Sequence, residues 1–354
     1  MNALHQLGWT GFFQSQYDLL KNTDLLPARV AADHRGTLEL LTASGPLSAT
    51  LSGRLRHESL DEDLPVVGDW VLVKTDGAGS GVVVGRLDRR SRLIRQAAGG
   101  KLQAQILGAN LDVVFVVTSL NRELSLSRIE RYLVSIHESG ATPVLILSKA
   151  DLVDDPDRVS QRVLRAAAGA PVEIVSALQG RGIEELDRYL GPGVTAAFVG
   201  SSGVGKSTLI NSLLGRQRQL VKAIRSDDDE GRHTTTHRQL ILLPDDRGLL
   251  MDTPGIRELQ LWGGAELDTA FEDIENLGRD CRYRDCAHQD EPGCAVREAI
   301  EAGALAEARL SNYDKLGREL AWQERRQDKA AERRRNKNFG RQIKAVVKQR
   351  REKW

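Results

Sequence analysis

The chain has 354 residues, enough for two or three domains with sizeable cores, and its 50 Lys and Arg nearly balance its 49 Asp and Glu. The N-terminus shows no basic stretch followed by an apolar core, and no apolar run approaches the ~20 residues of a membrane helix, so we expect a cytoplasmic protein and exclude secreted and membrane-spanning classes. The charge is uneven, because residues 322–354 hold 13 Lys and Arg against 4 Asp and Glu and carry +9, whereas the rest carries −8.

The first predicted element is an N-terminal arm, residues 1–26, which is rich in large apolar side chains such as Leu7, Trp9, Phe12, Phe13 and Tyr17. The spacing fits a short amphipathic helix, and it fits equally an arm that docks elsewhere on the protein. The sequence does not choose between these two interpretations.

Residues 27–93 contain short β-type segments separated by Gly, Pro and Asp, namely Ala28–Ala32, Thr37–Leu41, Ala49–Leu55, Trp70–Lys74 and Gly81–Leu87. Five short strands at this spacing predict an all-β barrel of the OB-fold type. Such barrels often bind oligonucleotides, but a purely structural β-domain is an equal alternative. Arg54, Arg56 and His57 could face an RNA or only solvent.

Residues 94–262 predict an α/β domain. A polar, basic linker over Ser91–Gln105 is expected before it, with a hinge at Gly99-Gly100. Helices are predicted over residues 127–139, 159–167 and 183–190, and they alternate with strands over 111–118, 143–147, 172–175, 239–243 and 249–251. This alternation is typical of a mostly parallel sheet with helices on both faces.

The most specific motif of this domain runs from Gly200 to Thr208 and fits G-x-x-x-x-G-K-[ST] between an apolar strand and an amphipathic helix. Glycines let backbone N–H groups approach a phosphate chain, and the helix N-terminus adds its positive dipole end. Lys206 would meet the β- and γ-phosphates, and Ser207 would ligate Mg²⁺. A glycine-rich turn before a helix is the alternative, which the flanking elements disfavour. The predicted contacts in this loop are Gly200, Ser201, Ser202, Gly203, Val204, Gly205, Lys206, Ser207 and Thr208.

Two further motifs predict that the nucleotide carries guanine. Asp151 follows a strand, where its carboxylate can accept from N1–H and the exocyclic amine of guanine, a donor pair that adenine lacks. Lys149 can lay its aliphatic stem over the base, and the segment at Ser176-Ala177 could present an N–H to the guanine oxygen. Alone, S-K-x-D would be an ordinary polar turn. The predicted guanine contacts are Ser148, Lys149, Ala150, Asp151, Ser176 and Ala177.

The switch motifs follow the phosphate loop. Asp252 is placed to act on Mg²⁺ through water, and the N–H of Gly255 is placed to contact the γ-phosphate. In the polar segment before them, Thr235 and Thr236 can reach the γ-phosphate, and Thr236 is the predicted second Mg²⁺ ligand. A loop this polar should order with GTP and loosen after hydrolysis.

Ile256 follows Gly255, where many GTPases have a water-orienting Gln, so we predict slow intrinsic hydrolysis. His233 is the candidate for positioning the water, and a solvated loop histidine is the alternative. The predicted catalytic residues are therefore His233, Lys206 and Asp252.

The order of these motifs is unusual. In ordinary GTPases the phosphate loop comes first and the guanine motif late, whereas here residues 148–151 and 176–178 precede the phosphate loop. A circular permutation moves the chain termini without moving the site, so we predict a circularly permuted P-loop GTPase domain.

Cys281, Cys286, His288 and Cys294 offer three thiolates and one imidazole within 14 residues. This closed Cys₃His set suits one tetrahedral structural zinc ion with no open position. Three free cysteines in a helical region are the alternative. We therefore predict an α-helical zinc-binding domain over residues 263–321, with helices over 295–308 and 313–322.

The basic tail, residues 322–354, predicts binding to the phosphates of RNA. A solvated charged helix is the alternative. Nothing in the sequence indicates an oligomer, so a monomer is expected.

Together these features closely resemble the circularly permuted, ribosome small-subunit-dependent GTPases known as RsgA or YjeQ/YloQ. The resemblance rests on the barrel with its segment Val67-Gly68-Asp69-Trp70-Val71, on the permuted motif order, on the segments Gly231–Thr236 and Asp252–Gly255, and on the Cys-x4-Cys-x-His-x5-Cys spacing. It covers residues 27–310. It implies a cytoplasmic GTPase that binds GTP, GDP and 16S rRNA and assists late maturation of the 30S subunit. It further implies slow hydrolysis alone, faster hydrolysis on the subunit, help in releasing another maturation factor, and zinc in the C-terminal domain.

The resemblance also assigns the suspected hydrolytic histidine of the family to His233. One departure concerns Ser148, because the family usually has Asn or Thr there, and the shorter side chain predicts reduced guanine affinity with selectivity kept by Asp151. Two alternatives remain open: a non-catalytic, GTP-dependent RNA-binding scaffold, and a P-loop ATPase or kinase.

Overall fold

A computed structural model of the chain describes residues 3–20, 24–34, 36–75, 79–96, 104–120, 124–215, 238–252, 261 and 267–326. These residues form an N-terminal β-barrel, a central α/β domain and a helical C-terminal region, in agreement with the predicted fold class. Within these ranges, the helices are all too short or too polar to span a membrane.

The N-terminal arm consists of two short helices, α1 (Ala3–Gln6) and α2 (Gly11–Asp18), and it docks on the barrel. The ring of Trp9 meets the fully buried ring of Trp70 edge-on at a centroid distance of 4.7 Å, and the ring of Phe13 lies 5.9 Å from Trp70. The arm is therefore both helical and docked. Aromatic packing onto the barrel holds it in place.

Five strands form the barrel: β1 (Leu26–His34), β2 (Thr37–Thr42), β3 (Gly45–Leu51), β4 (Trp70–Thr75) and β5 (Ser80–Arg86). They follow the order β1-β2-β3-β5-β4, and β4 returns to pair with β1, which closes the barrel. Residues of β2 mostly alternate between exposed and buried, as expected of a strand with one face on the core. The predicted five-stranded barrel is confirmed.

The prediction of a strand up to Leu55 is wrong. The strand ends at Leu51, and Gly53–Glu58 form a helix, α3. The Ser52 hydroxyl accepts a hydrogen bond from the N–H of Leu55 (3.2 Å) and thereby caps the N-terminus of α3. The three basic side chains considered for RNA contact lie on this helix and are largely solvent-accessible.

The predicted linker over Ser91–Gln105 is also wrong in part. Its two ends are strands of an antiparallel hairpin, β6 (Arg92–Gln96) and β7 (Ala104–Ala109), which forms a separate two-stranded sheet. The expected hinge at Gly99-Gly100 lies outside the described residues.

Six strands form the sheet of the central domain: β8 (Val113–Ser119), β9 (Thr142–Ser148), β10 (Val172–Ile174), β11 (Thr195–Val199), β12 (Gln239–Leu242) and β13 (Leu249–Asp252). Their order is β10-β9-β8-β11-β13-β12, and only the β12–β13 pair among them is antiparallel. The helices of this domain are α4 (Leu126–Ser139), α5 (Pro156–Ala166) and α6 (Lys206–Leu214), with 3₁₀ turns at Ala150–Leu152, Glu184–Tyr189 and Pro244–Asp246. The predicted alternation is confirmed, although residues 184–189 are a 3₁₀ helix.

The barrel and the central sheet are continuous. Gln239 of β12 pairs with Ala32 of β1, so that the two form one eleven-stranded sheet. Close packing supports this joint, because a Cβ on Gly68 would overlap the carbonyl oxygen of Ala109 and would lie 2.9 Å from Cε of Met251. Met251 directly precedes the predicted switch residue Asp252, so the end of β13 rests against the barrel.

Arg29 ties the arm, the barrel and the central domain together. Its buried guanidinium donates to the carbonyl oxygens of Leu7 in the arm, of Gly68 in the barrel (3.2 Å) and of Asn110 after β7 (2.9 Å). Burial lowers the pKa of Arg29 to about 10, so the side chain stays charged at neutral pH. Three carbonyl acceptors compensate for burying that charge.

The C-terminal region contains α7 (Glu272–Arg279), α8 (Ala295–Glu301) and α9 (residues 307–326). The prediction of one helix over residues 295–308 is wrong, because α8 ends at Glu301 and a turn over residues 302–306 separates it from α9. Most of the basic tail, residues 327–354, lies outside the described residues.

Candidate nucleotide and metal sites

The phosphate loop lies between β11 and α6, at the carboxyl end of a central strand. Gly200 begins it with φ +142°, and a Cβ there would overlap the carbonyl oxygen of Val117 on β8. Gly205 is the N-cap of α6 in the left-handed region, at φ +100°. The glycines of the motif are therefore required by close packing at one end and by backbone conformation at the other.

Lys206 opens α6 and folds back over the loop. Its Nζ donates to the carbonyl oxygens of Gly200 (2.7 Å) and Ser201 (2.6 Å). Ser207 and Thr208 are exposed in the first turn of the same helix, where the dipole is positive. The loop therefore offers a cation, hydroxyl groups and a helix N-terminus at one place, which is the chemistry of a phosphate site.

The guanine motif reaches the phosphate loop through Ser148, the last residue of β9. The Ser148 hydroxyl donates to the carbonyl oxygen of Val204 (2.6 Å) and lies 3.2 Å from that of Thr118. The structure thus brings two predicted motifs, 56 residues apart in sequence, into direct contact. The short serine side chain is long enough for this contact.

Asp151 lies in the 3₁₀ turn after β9 and accepts a hydrogen bond from the hydroxyl of Ser176 (2.5 Å), which follows β10. Lys149, with φ +59°, makes the turn between β9 and that helix. The buried N–H of Ala150 donates to the carbonyl oxygen of Val175 (3.1 Å). The two predicted guanine segments are therefore fixed to each other, with Ala177 next to Ser176.

Asp252 ends β13, next to β11 in the sheet, so its position at the carboxyl end of a strand is as predicted. The remaining predicted switch residues lie outside the described residues: His233, Thr235, Thr236 and Gly255.

The four predicted metal ligands come together between α7 and α8. Their ligand atoms all lie within 4.8 Å of one another. The Sγ atoms of Cys281 and Cys294 are 3.9 Å apart, and Nδ1 of His288 lies 3.6 and 3.5 Å from them. A tetrahedron with bonds of about 2.3 Å has edges of about 3.8 Å, so this donor set fits a four-coordinate metal ion.

Two side chains support the metal-binding loop. Nε of Arg297 on α8 donates to the carbonyl oxygens of His288 and Gln289 (both 2.8 Å). Glu291 accepts from the N–H groups of Ala287 (2.9 Å) and Gln289 (2.8 Å). These bonds preorganise a segment that has little apolar core of its own.

Sequence reasoning missed the contacts that join the C-terminal region to α4. Glu130 of α4 is buried, and it accepts from Arg309 (2.7 Å) and from Asn312, both on α9. Burial raises the pKa of Glu130, and the charge of Arg309 opposes this effect. Glu130 and its two partners are about 180 residues apart in sequence. The one local indication of these contacts was a charged residue on the apolar face of α4.

Arg128 was also missed. This exposed residue of α4 donates from Nη1 to Oγ of Ser201 in the phosphate loop (2.7 Å). The one sequence signal was a basic residue in the first turn of a helix, where the dipole disfavours a positive charge.

Comparison with protein families agrees with this geometry. The model of the RsgA GTPase family matches residues 86–262, from the last residue of β5 through the central domain. A model of ABC transporters also matches residues 183–344, less than half of the chain, in a stretch that contains the phosphate loop.

Named relatives are similar over nearly the whole length. The chain is 46% identical to the small ribosomal subunit biogenesis GTPase RsgA of Opitutus terrae, covering 92% of each chain. It is 47% identical to the small ribosomal subunit biogenesis GTPase RsgA 2 of Vibrio parahaemolyticus, covering 91% of this chain and 87% of that one.

Two solved structures are similar in fold. YjeQ from Thermotoga maritima has 31% identity and a TM-score of 0.63, covering 84% of this chain and 99% of that chain. YloQ, described as a circularly permuted GTPase, has 25% identity and a TM-score of 0.62, covering 85% of this chain and 96% of that chain.

Proposed function

The chain belongs to the RsgA GTPase family, and from this premise we propose that it hydrolyses GTP during late maturation of the small (30S) ribosomal subunit. The observation that carries the nucleotide assignment is the bond from Ser148 to the carbonyl oxygen of Val204. It joins a guanine-reading turn to a phosphate-binding loop, so one ligand with a guanine base and a phosphate chain can span both. The P-loop ATPase or kinase alternative does not account for Asp151, because adenine lacks the donor pair from which this carboxylate would accept.

In this proposal, Asp151 accepts from the guanine edge while Ser176 holds its carboxylate, and Ala177 presents its backbone N–H to the base. Ala150, whose N–H is bonded to Val175, supports the turn from behind. Lys206 turns from the loop carbonyls to the β- and γ-phosphates when GTP binds. The N–H groups of residues 200–208 surround the phosphates.

Hydrolysis is assigned to the switch residues. His233 positions the attacking water, because Ile256 cannot, and Thr235 and Gly255 contact the γ-phosphate. Ser207, Thr236 and Asp252 would hold Mg²⁺, directly or through water, and the ion would neutralise charge that develops on the phosphates. Support comes from the position of Asp252 at the carboxyl end of β13, beside the phosphate loop strand.

Zinc is the metal proposed for Cys281, Cys286, His288 and Cys294. Three thiolates and an imidazole fill a tetrahedron and leave no position for a substrate, so the role is structural. When bound, the ion would cross-link the loop between α7 and α8.

The proposed RNA partner is 16S rRNA. In sequence, the proposed GTPase domain (residues 94–262) is preceded by the arm (1–26) and the barrel (27–93). It is followed by the zinc-binding domain (263–321) and the basic tail (322–354). Help in releasing another maturation factor rests on the family resemblance. The protein is proposed to act as a cytoplasmic monomer.

The Lys206→Ala variant tests this proposal. It should abolish GTP turnover and GTP-dependent binding to purified small subunits while the metal content stays at one ion per chain. Loss of metal would show that the variant had misfolded, and Lys74→Ala on the barrel serves as the matched lysine control. Turnover that persists in Lys206→Ala would refute the assignment of the phosphate loop.

A further inference from the structure

The positive charge of Arg128 lies near the N-terminus of its own helix, where the helix dipole disfavours a cation. It lies in the first turn of α4, which contains no acidic residue. The helix dipole is positive there, so a cation is opposed. The exposed side chain meets no packing need, but its Nη1 donates to Oγ of Ser201 at 2.7 Å. The phosphate loop thus has a second cation besides Lys206.

The same helix is also held by the C-terminal region. The buried Glu130 accepts from Arg309 and Asn312, and the guanidinium of Arg131 makes a two-point contact with the carboxylate of Glu319 (2.6 and 2.8 Å). Two-point contacts of this kind fix direction as well as distance. α9 therefore adds directional polar contacts to α4, beside Arg128, beyond the packing of α4 against β8, β9 and α5.

Arg309 extends this connection toward the metal cluster. It also donates from Nε and Nη2 to Asp273 (both 2.6 Å) and from Nη2 to the carbonyl oxygen of Ala270 (2.9 Å). Asp273 lies in the first turn of α7, and α7 leads directly to Cys281. A displacement of the metal-binding region is therefore transmitted to α4 through the buried guanidinium of Arg309.

We propose that Arg128 is a positioning residue for GTP hydrolysis, and that the C-terminal region controls it through α4. This inference rests on the proposed function and names the route by which the small subunit would stimulate turnover. Arg128 holds Ser201 in the loop geometry that favours hydrolysis, and contact of RNA with the C-terminal region makes this hold more persistent through α9 and α4. Arg128 acts on the loop and not on the reacting atoms.

A double-mutant cycle tests the contact of Arg128 with the loop. Turnover and KM for GTP are measured for Arg128→Ala, Ser201→Ala and the double variant, with and without purified small subunits. Arg128→Ala is expected to lower kcat about tenfold with KM within about threefold, and the double variant should be no slower than Arg128→Ala. Arg128→Lys, which keeps one cationic donor, should restore most of kcat. Additive losses, or no rescue by lysine, would overturn the role of Arg128.

A second comparison tests the route through α4. Glu319→Gln weakens the contact with Arg131 but touches neither the nucleotide loop nor the metal. It should leave unstimulated turnover within about twofold and lower the stimulation by small subunits about threefold or more. Glu307→Gln breaks the ion pair with Arg297 in the same region and should change neither. Equal effects of both variants would overturn the route.

The outcome also separates this inference from the proposed function. If the wild-type chain shows no stimulation by small subunits, the proposed function fails. The cycle between Arg128 and Ser201, measured on unstimulated turnover, then still decides the positioning role.

Discussion

The hydroxyl of Ser148 donates to the carbonyl oxygen of Val204 at 2.6 Å, and this bond joins the guanine motif to the phosphate loop. Ser148 is buried, so water cannot replace the bond if it is lost. The turn proposed to recognise the base and the loop proposed to bind the phosphates are therefore held together as one unit.

The first prediction concerns this bond. Ser148→Ala leaves the carbonyl oxygen of Val204 without its donor, which costs about 1–2 kcal/mol and should weaken GTP binding about 5- to 30-fold. Titration with a fluorescent GTP analogue measures it. Ser160→Ala is the matched control, because the Ser160 hydroxyl also donates to a backbone carbonyl (2.7 Å) but lies in α5. Equal affinities for the wild type and Ser148→Ala would contradict the role given to this bond.

The second prediction concerns guanine selectivity. Asp151→Asn exchanges one acceptor for a donor that faces the donors of guanine, so GTP affinity should fall about 100-fold and the preference over ATP should disappear. Competition binding of GTP and ATP measures both. Asp154→Asn, three residues away and exposed, should behave like the wild type. An unchanged guanine preference in Asp151→Asn would refute the assignment.

Much of the site could be predicted from sequence, because its chemistry requires fixed residue types at fixed spacing. The phosphate loop, the guanine turn at Ser148 and the four metal ligands all follow this rule. The contacts of Arg128 with Ser201 and of Glu130 with Arg309 span 73 and 179 residues and leave no local period in the sequence. Tertiary packing decides such pairs, so a single sequence could not reveal them.

The errors in the fold have local causes. Ser52 caps the N-terminus of α3. Because Ser52 directly follows the strand pattern of β3, the sequence did not reveal it as a capping residue. Strand β6 was predicted as part of a linker because its residues, Arg-Leu-Ile-Arg-Gln, do not alternate between polar and apolar as in a half-buried strand.

The third prediction concerns the joint between the barrel and the central domain. Gly68→Ala adds a methyl group that overlaps the carbonyl oxygen of Ala109, in addition to strain at φ +92°. Gly79→Ala is the control, because it has the same strain (φ +87°) but open space around it. Gly79→Ala should cost about 1 kcal/mol and Gly68→Ala about 1–3 kcal/mol more, seen as a lower midpoint of thermal unfolding. Equal midpoints would show that the two domains do not pack as described.

The fourth prediction concerns the metal. Cys286→Ser removes one of the four proposed zinc ligands, so the metal content measured by elemental analysis should fall from one zinc ion per chain to nearly none. The binding of structural zinc contributes about 10–16 kcal/mol to the folding free energy of small domains. Without the ion, the region from α7 to α8 should therefore lose protection from proteolysis. GTP binding should persist, because the nucleotide site lies in another domain. A full metal content in Cys286→Ser, or zinc replaced by another metal in the wild type, would contradict the assignment.

The most direct test of the central claim is the rate of GTP hydrolysis by the intact chain, measured with and without purified small ribosomal subunits. We expect slow turnover by the chain alone and stimulation of about tenfold or more by small subunits, with none by large subunits. The absence of stimulation by small subunits would contradict it and would favour the non-catalytic RNA-binding scaffold.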